Sequence, residues 1–147
     1  MIYLDSSYIV KCYVYEPGSD QVLELVEGRS GLTSCIHGRL EVWSAINRHV
    51  REGHLKITQA RAALRKLAHD ESDGVWNFLA ITSELVATAC DTVEALPKHV
   101  FVRSADALHL ACAHAHGFTE IHSNDRHLLA AAEYFGLRAR NVIAVSR

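Results

Sequence analysis

Four acidic residues, Asp5, Glu41, Asp106 and Asp125, have the types and the placement to do chemistry together. Asp5 closes the apolar run Met1 to Leu4, Asp106 opens the segment ADALHLACAHAHG, and Asp125 follows the apolar stretch Phe118 to His122. Glu41 sits one turn inside a helical pattern. Each acid alone has a structural explanation, because a carboxylate near a helix start accepts from free backbone N–H groups and meets the positive end of the dipole. Brought together, the four would repel one another and raise some of their pKa values, and a divalent cation is the usual physical reason to keep such a cluster. An all-oxygen donor set suits Mg²⁺, with Mn²⁺ as the alternative, in one or two ions. Such ions orient and activate a water and neutralise charge developing on a phosphodiester. No regular metal motif spans positions 5, 41, 106 and 125, so spacing alone leaves the assignment open.

The elements that must position these acids read as short apolar strands alternating with helices. Strands are expected at Met1 to Leu4, Gly31 to Ser34, Trp76 to Ile81, Phe118 to His122 and, last, Asn141 to Val145. Between them come a helix over Tyr8 to Tyr15, then one with Val22, Leu23, Leu25 and Val26 on its inner side, ended by Gly28. A third carries Leu40, Trp43, Ile46, Asn47 and Val50 at helical spacing up to Gly53. Thr58 is the expected cap of the next, with Ala62, Leu64 and Leu67 as its apolar stripe, and Thr82 or Ser83 caps the one holding Leu85, Val86, Ala89 and Val93. Ser104 precedes a helix ended by Gly117, and a last helix runs from about Asp125 to Phe135, ended by Gly136. This alternation predicts an α/β domain, a central, mainly parallel sheet covered by helices on both faces, with strand ends and helix starts meeting on one rim.

A length of 147 residues without an internal linker or repeat predicts one domain over 1–147. With 49% hydrophobic and 22% charged residues, the composition excludes fibrous and disordered classes. A formal net charge of −2 argues against a strong global attraction to nucleic acid or anionic membrane. Four unpaired-looking cysteines, Cys12, Cys35, Cys90 and Cys112, and the lack of a signal or membrane segment point to a cytoplasmic protein with no membrane partner.

Other conspicuous residues carry weaker readings. Arg39, Arg48, Arg51, Arg61, Arg65 and Lys66 could line a path for phosphates, or simply form solvated helix faces. Arg103 and Arg126 neighbour the acids and are candidates for substrate contact or support. The alternation of Cys112, His114 and His116 spreads around a helix and does not make a zinc site. His109, three residues past Asp106, is expected as a packed or supporting histidine, and Tyr3, Tyr8, Tyr13 and Tyr15 as packing groups.

The segments MIYLDSS, LEVWSAINR, RSADALHLACAHAHG and IHSNDRHLLAAAEYFGL together resemble PIN-domain ribonucleases of the VapC toxin family, over nearly the whole chain. The resemblance implies a three-layer α/β/α PIN-like fold, with Asp5, Glu41, Asp106 and Asp125 as the metal-holding catalytic acids and Ser123 beside the last of them. It also implies an endoribonuclease acting on RNA, inhibited by a VapB-like antitoxin, and a homodimer, for which the apolar helix faces near 40–50 and 58–67 are candidates. Two alternatives stand beside it. One is a non-catalytic PIN-fold module that regulates a partner; the other is a phosphate-ester hydrolase with Asp5 as covalent nucleophile, disfavoured because DSSY lacks a second nearby acid.

Overall fold

A computed structural model describes residues 1–143. Five strands and seven helices alternate: β1 (Ile2–Tyr3), α1 (Ser6–Tyr13), α2 (Ser19–Val26), β2 (Leu32–Cys35), α3 (Ile36–Arg51), α4 (Ile57–Ser72), β3 (Trp76–Leu79), α5 (Ser83–Glu94), α6 (Ser104–Ala115), β4 (Glu120–His122), α7 (Arg126–Ala131) and β5 (Arg138–Arg140). A 3₁₀ turn, Ala132–Phe135, extends α7 before Gly136 turns the chain with φ of 74°.

All the strand pairs are parallel. β1 pairs with β2 and β2 with β3, while β4 pairs with β5. The two ladders are joined where Leu4 bridges His122 and the Asp5 N–H donates to the His122 carbonyl at 3.0 Å. The spatial order is therefore β3, β2, β1, β4, β5. The chain moves outward from β1 to β3, then crosses back to β4 on the other side of β1.

Side-chain alternation along the strands separates two cores. Tyr3 and Cys35 face one side with Leu85, Ala89, Leu110, Ile121 and Leu128, beneath α5, α6 and α7. Leu4 and Leu32 face the other with Ile9, Val22, Val42, Ile46, Leu64 and Leu67, beneath α1 to α4. This is the three-layer α/β/α arrangement expected. The two-residue β1 owes its place mainly to Tyr3 and Leu4, both fully buried on opposite faces, at about 1.5–3 kcal/mol per fully buried apolar side chain.

The structure corrects several boundaries and faces. The last described strand is Arg138–Arg140, not the Asn141 to Val145 run, of which 141–143 lies outside any strand and 144–145 outside the described residues. β5 is an edge strand with all three side chains exposed, and Arg138 and Arg140 both pair with Glu120 on β4, so it needs charge pairs rather than an apolar run. In α3 the buried face is Gly38, Val42 and Ile46, with Leu40, Trp43 and Asn47 exposed. Lys56, not Thr58, caps α4; its backbone N–H donates to Gln59 Oε1 at 2.9 Å, and Ala60 rather than Ala62 joins Leu64 and Leu67 inside. Leu23, Val86 and Val93 face outward, and Tyr15 stands in solvent against Asp20. Thr82 caps α5 as expected, its hydroxyl accepting from the Leu85 N–H at 3.2 Å. Ser104, expected just before α6, is its first residue, with Arg103 at the N-cap position.

Candidate active site

Where β1 and β4 lie side by side, the chain leaves them in opposite directions. α1 follows β1 onto one face of the sheet and α7 follows β4 onto the other. Such a switch point opens a crevice at the carboxyl ends of the strands. Asp5 emerges there from β1, and Ser123, Asn124 and Asp125 emerge from β4.

Asp5 is 4% exposed and caps α1. Its Oδ1 accepts from the Tyr8 N–H at 3.2 Å and the Ser7 hydroxyl at 2.6 Å, and its Oδ2 accepts from the Ser123 hydroxyl at 2.5 Å. Burial pushes the Asp5 carboxyl above its ordinary range; the Ser123 and Ser7 hydroxyls, the nearby His109 and the Tyr8 amide only partly offset this. Ser123 Oγ in turn accepts from the Asp125 N–H at 2.9 Å, tying the two acidic loops together. Ser7 Oγ also lies 2.7 Å from the Asn124 side-chain amide. With the Ser7 proton given to Asp5, that contact is satisfied when the amide turns its NH₂ toward Ser7.

Asp125 caps α7, its Oδ1 accepting from the His127 and Leu128 N–H groups at 2.8 and 3.1 Å. Partial burial pushes its carboxyl up, but those two amides and the Arg103 guanidinium outweigh it and hold the group below its ordinary range. Arg103, which caps α6, donates from Nε to Asp106 Oδ2 at 2.8 Å and pairs through its other end with Asp125 Oδ2. Asp106, in the first turn of α6, is 6% exposed.

Glu41 comes from α3, on the far side of β2. Its Oε1 lies 2.6 Å from Nε2 of His109, one turn beyond Asp106 on α6. His109 is 1% exposed, and its Nδ1 is 3.2 Å from the Tyr3 hydroxyl. Burial alone would lower the imidazole pKa; the Cys35 and Glu41 contacts outweigh it and raise it.

The structure thus links Asp5, Ser123, Asp125, Arg103 and Asp106 in one hydrogen-bonded chain, with Glu41 held beside it through His109. Arg126 is not part of it: among the described residues, its side chain hydrogen-bonds the neighbouring His127, at 3.4 Å. Ser7, Asn124 and Tyr3 belong to the neighbourhood, and the sequence carries no separate signal for them beyond adjacency to Asp5 and Asp125. Among the described residues, no three His, Cys, Asp or Glu side chains converge closely enough to form a ready-made metal cage. The donor set nevertheless fits a hard divalent ion, since oxygen-bearing carboxylates border the rim and one of them, Asp5, is buried with no salt-bridge partner among the described residues.

A groove of about 490 Å³ runs from Ser7 and Glu41 between α1 and α3 to Arg48 and Arg51. Arg39, by contrast, pairs with Glu71 at 3.2 Å, and Lys66 with Asp70 at 2.9 Å.

A parallel α/β sandwich with acidic side chains gathered at its switch point defines a class of fold built around a polar rim. The chain belongs to the PIN domain family, whose model matches residues 2–134. No curated protein sequence matches it significantly. Among solved structures, it is similar to VapC20 of Mycobacterium tuberculosis, described as a sarcin-ricin loop cleaving toxin, at 18% identity and a TM-score of 0.70, covering 94% of this chain and 99% of that one. FitAB bound to the IR36 DNA fragment matches at 13% identity and a TM-score of 0.70, covering 100% and 99%. VapBC2 of Rickettsia felis bound to a promoter DNA fragment matches at 15% identity and a TM-score of 0.64, covering 96% and 98%. At these identities the likenesses speak for the fold.

Proposed function

We propose that this protein is a metal-dependent endoribonuclease that acts as the toxin of a toxin–antitoxin pair. The observation that carries the reading is the linkage of Asp5, Asp125 and Asp106 through Ser123 and Arg103 at the switch point of a PIN fold. Asp5, Glu41, Asp106 and Asp125 are the residues that would hold Mg²⁺ or Mn²⁺, as one or two ions. When bound, the metal supplies an activated water and charge neutralisation for phosphodiester hydrolysis.

The remaining work falls to the chain itself. Ser123 and Ser7 donate to Asp5, aim its buried carboxylate and offset part of the cost of burying its charge. Arg103, half-exposed between two acids, keeps them from repelling one another and can turn its guanidinium toward an incoming phosphate. Arg48 and Arg51 lie along the groove that leaves Glu41, where they meet backbone phosphates without reading bases. Two exposed arginines along the groove offer phosphates a local positive contact despite a net charge of −2. Arg126 keeps a supporting role only as a flanking cation.

Similarity to a sarcin-ricin loop cleaving toxin and to VapBC2 supports RNA as substrate and a VapB-like antitoxin as inhibitor. Leu40 and Trp43, 62% and 39% exposed on α3, offer apolar contact for the antitoxin or for a second copy in a homodimer. The apolar stripe of α4, Ala60, Leu64 and Leu67, is buried in the core of the chain itself. Among the described residues no helix is long and apolar enough to cross a membrane; the proposed site of action is the cytoplasm.

The test is cleavage of a panel of structured and single-stranded RNAs with Mg²⁺ or Mn²⁺, with and without chelator. Cleavage should vanish with EDTA and return with added metal, and Asp106→Asn should cut at least about 100-fold more slowly. Cleavage indifferent to chelator and to Asp106→Asn would overturn the reading.

A further inference from the structure

We infer that His109 is a positioning residue that fixes Glu41 at the metal site, backed by Tyr3 beneath it. The inference rests on the metallonuclease reading above and names a part of that site which none of the four acids supplies.

Glu41 is the most exposed of the four acids. Its side chain is 27% exposed, opens onto the groove toward Arg48 and, among the described residues, makes a single hydrogen bond, to His109 Nε2 at 2.6 Å. A free glutamate side chain samples many rotamers, and immobilising one carries an entropic cost that a metal ion would otherwise have to meet on binding. His109 has no such freedom. It is 1% exposed, its ring stands edge-on to Tyr3 with centroids 6.0 Å apart, and its Nδ1 meets the Tyr3 hydroxyl at 3.2 Å and Cys35 Sγ at 3.6 Å. Tyr3 is itself fully buried on β1, two residues before Asp5.

The direction of the proton follows from these partners. Burial and the neighbouring Cys35 and Cys112 keep the Tyr3 phenol protonated. When the imidazole is neutral, Tyr3 donates to Nδ1 and the ring proton sits on Nε2; when it is charged, both nitrogens donate and the Tyr3 oxygen accepts. In both states an N–H points at the Glu41 carboxylate.

Gly38 supplies an independent mark of the same contact. It stands one turn before Glu41 on α3, and a Cβ there would lie 2.9 Å from His109 Cε1 and 2.8 Å from Ser34 Oγ. α3 therefore crosses the edge of the imidazole at a distance that only glycine permits. Glycine early in a helix is otherwise a poor choice, so the close approach is what it provides. His109 and Asp106 share one face of α6, and Gly38 and Glu41 one face of α3, so the contact also sets how far apart the two helix-borne acids stand.

The experiment is Mn²⁺ titration of the metal-free protein by calorimetry, without RNA, on His109→Gln, His109→Asn and Gly38→Ala. In His109→Gln the side-chain nitrogen would reach the place of Nε2, whereas in His109→Asn it would reach only the place of Nδ1. His109→Asn should weaken Mn²⁺ binding about 10–100-fold, the usual range for a residue that orients a metal ligand. His109→Gln should stay within about threefold of wild type, and Gly38→Ala should weaken binding although it touches no acid. Circular dichroism confirms folding of each variant. Equal loss in the Gln and Asn variants, or no loss in the Asn variant, overturns the inference. A second readout needs no metal: ¹⁵N-labelled protein should show a downfield, slowly exchanging His109 Nε2 proton that disappears in Glu41→Ala. Failure of wild-type protein to bind Mn²⁺ would sink the metallonuclease reading alone, and the absence of that proton signal would sink the His109 contact alone.

Discussion

Two polar networks in this molecule use the same side-chain chemistry to opposite ends. In the first, between α1, α4 and β3, the Trp76 indole N–H donates to the Tyr13 hydroxyl at 2.6 Å, Tyr13 donates to Asp70 at 2.7 Å, and Lys66 closes the network on Asp70 at 2.9 Å. One carboxylate meets one ammonium, and every strong donor has its acceptor. In the second, around the carboxyl ends of β1 and β4, three carboxylates share Arg103 and His109, and the most buried acid, Asp5, has no salt-bridge partner among the described residues. The first network is closed and stabilises. The second leaves negative charge uncompensated, an arrangement that folding alone would not favour. The difference separates acids that stabilise the fold from acids whose burial and charge balance disagree, and the proposed function rests on the second set.

The largest expected effect tests that contrast at Asp5. Asp5→Asn should lower the single-turnover cleavage rate by about 100-fold or more. It should also raise the melting temperature of metal-free protein at neutral pH, because Asp5 titrates above its ordinary range and its ionised form is disfavoured in the fold. A variant that is inactive and less stable would mean that the Asp5 charge is compensated after all.

Next in size is Tyr13→Phe. It strips the Trp76 indole N–H and Asp70 of a shared partner, at a cost of about 1–3 kcal/mol in denaturant melts. RNA cleavage per folded molecule should be unchanged. Loss of cleavage without loss of stability would erase the distinction between the two networks.

The smallest effect isolates the charge of Asp70. Although burial pushes its carboxyl up, the Tyr13 hydroxyl and Lys66 hold it below the ordinary range. Its extra stabilisation is therefore present above the unfolded value of about 3.9 and lost as pH falls through the lower folded value. Asp70→Asn should be less stable than wild type at pH 6 by a few tenths of a kcal/mol, as for an exposed i, i+4 pair. The gap should close between about pH 4 and pH 2 in paired melting curves.

The sequence was most legible where burial and chain direction coincide. Asp5, Asp106 and Asp125 follow short apolar runs or start helices, and each lies at the switch point where those signals converge. Glu41 was harder, because its place depends on His109, 68 residues away. The outer face of α3 departs from the sequence expectation for a related reason. Leu40 and Trp43 look like core residues, but the buried row steps by four through Gly38, Val42 and Ile46, and glycine gives no hydrophobic signal. Arg103 and Arg126 both neighbour an acid in the chain, yet only Arg103, at the start of α6, faces the crevice; Arg126 begins α7 and turns toward His127. β5 was misplaced because an edge strand is defined by its partner, and Arg138 and Arg140 carry no apolar pattern to announce it.

The hydroxyl bridge from Ser123 to Asp5 spans 118 positions of sequence. A ribosome adds residues one at a time, so Asp5 leaves the exit tunnel long before Ser123 is made. No incomplete chain that ends before β4 can assemble the crevice. On the proposed function, the nuclease is silent on the ribosome until β4 has emerged and docked beside β1, and the polysome that makes it is spared until then.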